Sequence, residues 1–286
     1  SALICDGQVS LLKTRTPTFM PPLLGDYHLA PYLVCWGYAN KFVVYDDKNC
    51  SFGVIYPSGT FSTTMEIKYF PDTYRDADDL RISPNNMNAD MLYFGQTDGS
   101  VDPEMQTNNG TLYALMQKRD DAANVWLYGL SNREMASATY GPIRFAREIP
   151  VSRCPEFVDA DFYTMHQTRN IMYFIKDNVL SYYDIDRDEF VMDVYSFSGE
   201  VTYCKFINNT YAYNTASWLG DMYDYRFTYL VVATSSGTEY TVNCFDVVLD
   251  NLTLLPEKTI TGTGKVRFMS WFAPSFEYSN DVYIYS

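Results

Sequence analysis

Five aromatic side chains crowd into one short polar stretch of this chain: Tyr211, Tyr213, Trp218, Tyr223 and Tyr225, with Asn214 and Asp224 among them. Aromatic faces stack on sugar rings, while carboxylate and amide groups bind hydroxyls, so Tyr211, Tyr213, Trp218, Tyr223, Asp224 and Tyr225 form the candidate ligand-binding surface. The competing reading of the same residues is a small satellite core folded back on neighbouring strands.

Other groups carry weaker chemistry. Asp72, Asp76, Asp78 and Asp79 surround Arg75 in a polar stretch, and a carboxylate pair at a suitable separation there would hydrolyse a glycosidic bond. An acidic surface loop is the ordinary account of the same residues. Asp184 to Glu189 alternates carboxylates as an oxygen-rich calcium loop would, but it lacks the turn glycine and holds Arg187, so a solvated hairpin is expected instead. The two histidines, His28 and His166, read as surface residues and are too few for a three-histidine zinc site. No nucleophile elbow, phosphate-binding glycine loop or paired-cysteine metal motif occurs. The sequence therefore names no catalytic residue, no metal ligand and no cofactor.

Charge narrows the partners. The chain of 286 residues carries 21 Lys and Arg against 35 Asp and Glu, a net charge of −14. Such a surface repels phosphate backbones and anionic lipid, which argues against nucleic acid or direct membrane binding. Hydrophobic residues make up 47%, enough to build a large core. Cysteines at 5, 35, 50, 154, 204 and 244 have no metal-site spacing and are expected as buried thiols on strands.

The elements that must hold these residues are strands. Ile171 to Tyr195 reads as three apolar, aromatic-rich strands broken by polar turns at Lys176–Asn178 and Asp184–Glu189. The stretch NKFVVYDDKNCSF repeats the pattern of DNVLSYYDIDRDEF, and ALICDGQVSLL around Asp6-Gly7 echoes it again. Further units are expected over Met91 to Leu130, Val201 to Leu255 and Lys265 to Tyr285, with insertions at 98–109 and 208–226. Residues 16–31, rich in proline, read as a connection; 132–149 is the least strand-like part and would hold a short helix near Arg133 to Ala138. Trp36, Trp126 and Trp271 fall within strands. Helical periodicity is missing, and units of roughly 40 to 60 residues suit propeller blades. The expected fold is one all-β domain over 1–286, a β-propeller of about six blades closed by pairing of N- and C-terminal strands, with a decorated β-sandwich as the alternative.

The segments LLGDYHLAPYLV, NKFVVYDDKNCSFGVIY, ALICDGQVSLL and IMYFIKDNVLSYYD resemble the C-terminal region of PKD-like surface lipoproteins of Bacteroidetes. The resemblance implies a cell-surface, outer-membrane-associated lipoprotein linked to glycan uptake. Its lipid anchor and immunoglobulin-like domains would lie upstream of this chain, and membrane contact would be through that anchor alone. It carries no catalytic residues. The resulting expectation is a non-enzymatic module that binds a polysaccharide or an outer-membrane protein. Two alternatives stand beside it: a carbohydrate-active enzyme using acidic residues such as Asp76 or Asp224, and a structural scaffold for an outer-membrane complex.

Overall fold

The computed structural model describes residues 2–5, 8–13, 16–18, 34–36, 41–46, 51–57, 65–69, 89–96, 111–131, 143–166, 169–208, 228–248, 251–266, 268–272 and 281–285. Nearly all of them lie in antiparallel strands, and the chain divides into two compact units, 1–153 and 154–286. Among these residues no helix is long and apolar enough to cross a membrane.

In the first unit, sheet 1 comprises β1 (Ala2–Cys5), β2 (Gln8–Lys13) and β3 (Thr16–Thr18). Cys5 pairs with Gln8, so β1 and β2 form the expected hairpin, and Asp6-Gly7 itself lies outside the described residues. The supposed connection from Thr16 onward in fact begins with a strand. Pro17 pairs with Leu12 at the sheet edge, where a missing N–H is tolerated. Sheet 2 follows with β4 (Val34–Trp36), β5 (Lys41–Asp46), β6 (Ser51–Pro57) and β7 (Met65–Tyr69). Sheet 3 holds β8 (Ala89–Gln96), β9 (Thr111–Lys118), β10 (Asn124–Ser131) and β11 (Ile143–Pro150). The last of these corrects the expectation for 132–149: IRFAREIP, without a clean apolar–polar alternation, adds an edge strand to β10. Arg133 to Ala138 lies outside the described residues.

The first unit ends in a short 3₁₀ turn, Val151–Arg153, and the second opens with α1 (Pro155–Val158). Sheet 4 is a meander of β12 (Phe162–Met165), β13 (Ile171–Lys176), β14 (Val179–Asp184) and β15 (Glu189–Ser196). Sheet 5 is β16 (Glu200–Asn208), β17 (Thr228–Ser236), β18 (Glu239–Val248) and β19 (Asn251–Leu254), with β20 (Ile260–Thr263) also paired to β18. A two-stranded sheet 6 of β21 (Phe268–Phe272) and β22 (Asp281–Tyr285) ends the series.

Turn chemistry sets these registers. Asp177 and Asn178, at φ 51° and 64°, make a two-residue turn whose twist matches the flanking strands. Asn178 then anchors the next sheet, its Oδ1 accepting the Val201 N–H at 2.8 Å. The repeat seen in the sequence is real as a hairpin. Tyr45 faces Phe52 and Asp46 faces Ser51, as Tyr183 faces Phe190 and Asp184 faces Glu189. Its place differs, however, since it joins the second and third described strands of sheet 2 but the third and fourth of sheet 4.

Alternation sends side chains to both faces of the central strands, and both faces are covered. Ile171, Tyr173, Ile175, Leu180 and Tyr182 of sheet 4 form one core with Phe206, Leu230, Val232 and Phe245 of sheet 5. On the far face of sheet 4, fully buried Phe157 from α1 contacts Phe174, Tyr183 and Phe190, with ring centroids 5.2–5.6 Å away. The far face of sheet 5 buries Val231, Ala233, Val242, Cys244 and Val266, with Tyr203, Tyr229 and Tyr240 around them.

Neighbouring sheets meet at their first strands. In one unit β4 lies against β8, and Tyr45 Oη donates to the Ala89 carbonyl at 3.3 Å. In the other β12 lies against β16, where Thr164 Oγ1 accepts the Phe206 N–H at 3.0 Å. Both β8 and β16 carry an irregularity near their start, at Met91/Tyr93 and Val201/Tyr203.

Candidate functional site

The predicted ligand residues Tyr211, Tyr213, Trp218, Tyr223, Asp224 and Tyr225 lie outside the described residues, as do Asp72, Asp76, Asp78, Asp79 and His28. What the structure gives is the two strand ends between which the first group lies in sequence. Asn208 and Thr228 are register partners, so residues 209–227 leave and rejoin sheet 5 at one end of β16 and β17. Tyr229 pairs with Asp246 at the same end, and β18 turns into β19 there through Val248 and Asn251.

Chemistry is present on that end in its own right. Lys258 Nζ sits 5.6 Å from the centroid of the half-buried Tyr229 ring, a cation–π contact. Burial raises the Tyr229 phenol above its ordinary pKa, with Asp246, Cys244 and Glu257 adding to the effect, so it stays a neutral donor at physiological pH. An aromatic ring, a cation and carboxylates therefore gather at the end of sheet 5 where Asn208 and Thr228 pair.

The acidic turn of sheet 4 is a hairpin, as its sequence suggested. Asp184 Oδ1 accepts the Arg187 N–H at 3.0 Å, and Asn170 Nδ2 donates to Asp186 Oδ1 at 2.9 Å. Tyr183 Oη donates to Asp188 Oδ1. The Asp184 and Asp188 carboxylates serve the turn itself, and that of Asp186 ties it to Asn170. Among the described residues no three of His, Cys, Asp and Glu converge as a metal-ligand group.

His166 departs from its surface assignment. Its residue is 2% exposed, and its ring packs on Phe206 with centroids 5.1 Å apart. Burial, with Arg169 nearby, pulls its pKa down to about 4. The polar neighbours in sequence hid this, because the seam between β12 and β16 that encloses the ring is a tertiary contact. Trp126 lies on β10, stacked on Tyr128 at 6.2 Å with Lys118 Nζ 4.9 Å above its ring.

No protein-family model matches the chain, and no curated protein matches it at a significant level.

Sequence reasoning also missed a group around Cys154. Its Sγ lies 3.6 Å from Met192 Sδ and 3.6 Å from Glu156 Oε2. Cys154, Cys204 and Cys244 are free thiols, and Cys244 on β18 is buried as expected, whereas Cys154 precedes a helix. No linear signal joins Cys154 to Met192, which come together only when β15 folds beside α1.

Proposed function

We propose that the protein is a non-catalytic binding module that takes a glycan on the 209–227 connection. One observation carries the reading: a segment holding six aromatics and two acids is anchored at both ends on register partners of a sheet buried on both faces. A rigid base of this kind reduces the ordering cost of binding. The tyrosine and lysine at positions 229 and 258 extend the same chemistry onto the sheet.

The architecture proposed for the module is a β-propeller of about six blades. Six successive antiparallel sheets, first-strand contacts between neighbouring sheets within each unit and the irregularities on β8 and β16 support it. With the three-stranded sheet 1 and two-stranded sheet 6 joined as one closing blade, sheets 2 to 5 would bring the described blades to five, close to the six expected. A decorated sandwich shares the face-to-face core but gives no reason for the serial repetition. The lipoprotein resemblance adds a placement: outside the cytoplasm, held by an upstream lipid, serving polysaccharide capture.

The test is binding of the full chain to an array of plant, host and microbial glycans, with products analysed afterwards. Intact glycan bound by the parent and lost in Trp218→Ala and Tyr213→Ala is the expected result. Shortened or unsaturated products would replace this reading with the enzyme. Silence across the array would favour the scaffold.

A further inference from the structure

The three atoms that converge at Cys154 have more lone pairs than protons. The thiol owns one hydrogen, and both Met192 Sδ and Glu156 Oε2 lie at 3.6 Å to receive it. Whichever acceptor takes the proton, the other faces the same sulfur without it. Two of the three atoms are soft sulfurs, one of thiol and one of thioether type, and such pairs select soft cations over hard ones.

The site has a floor and a mouth. Cys154 is 4% exposed, whereas Met192 is 40% exposed and Glu156 is also at the surface. Met192 reaches this place because β15 leaves the ladder there. Leu180 pairs with Tyr195 and Tyr182 with Val191, so Ser181 stands opposite Met192, Asp193 and Val194. Asp193 adopts φ 58° and donates its N–H to Ser181 Oγ at 3.1 Å, which fixes the bulge.

We propose that Cys154 Sγ, Met192 Sδ and Glu156 Oε2 form a surface-opening site for a soft monovalent cation, Cu(I) or Ag(I). Binding is an exchange without redox change: the S–H bond breaks, a metal–sulfur bond forms, and the proton leaves to water. Because each cation bound releases that proton, apparent affinity rises with pH.

Silver(I) is a redox-inert probe for the full chain. With the methionine methyl groups carbon-13 labelled, and Met192→Leu identifying its resonance, the Met192 methyl signal should move and saturate as Ag(I) is added. In Cys154→Ser the same signal should stay in place. A second readout is protection of Cys154 from iodoacetamide, mapped by peptide mass. Met192→Leu, a change at an exposed position, should weaken that protection about tenfold or more. A Met192 signal that ignores Ag(I), one that moves equally in Cys154→Ser, or protection unchanged in Met192→Leu would each overturn the site.

Discussion

The imidazole of His166 sits against Phe206 where β12 meets β16, and burial holds its pKa down at about 4. In the unfolded chain the same ring takes up a proton near pH 6.5. The unfolded state therefore binds more protons as pH falls through that window. The stability linked to the neutral ring is complete above about pH 6.5 and drains away towards pH 4, by up to about 3 kcal/mol. Denaturant titrations at successive pH values should show this loss in the parent. In His166→Gln the slope over that window should be shallower, whatever its baseline. Equal slopes would show that the seam does not hold a neutral imidazole.

At the scale of elements, the contrast between Phe157 and Lys176 separates packing from surface charge. Phe157 is fully buried and contacts rings from β13, β14 and β15, so Phe157→Ala should cost about 3–5 kcal/mol. Lys176 Nζ reaches Asp159 at 2.8 Å, but that carboxylate is 82% exposed. Lys176→Ala should cost under about 1 kcal/mol. Chemical denaturation of both variants measures the two values, and a comparable loss would reverse the assignment. Gly199 marks another constraint: a Cβ there would meet the Ser235 carbonyl oxygen at 2.7 Å. Gly199→Ala should lower stability by about 1–3 kcal/mol, read as a drop in Tm, because strand β17 rather than a free side chain must give way. Much at this scale was legible in the chain. Asp6-Gly7 and Asp177-Asn178 announced their hairpins through local turn chemistry, and the Tyr-Asp repeat fixed two more registers. Less legible were features that depend on a neighbour: β3 takes a proline because it is an edge, and β11 shows as a strand only beside β10. His166 and the Cys154–Met192 approach were hidden for the same reason, since each is defined by a contact between elements.

For the whole molecule, the propeller proposal makes a dimensional prediction. A closed, compact chain of 286 residues should give a radius of gyration of about 19 Å in solution scattering. A clearly larger value would favour two separately tumbling units over one ring, and would leave the glycan proposal to its own test. The bulge in β15 has a further consequence at this scale. β15 is the last strand of sheet 4, and Val191 and Met192 on it are 37% and 40% exposed. A flat strand of that kind would template the addition of another chain and seed fibrils. The kink at Asp193, with its exposed charge, denies an incoming strand a continuous ladder. Deleting Asp193 should straighten that edge and raise the rate of thioflavin-positive aggregation at a fixed concentration, while Asp193→Asn, which can hold the same left-handed backbone, should leave it near the parent's. The bulge that brings Met192 to Cys154 thus also guards solubility, so one residue, Asp193, ties the proposed cation site to the protein's shelf life in concentrated solution.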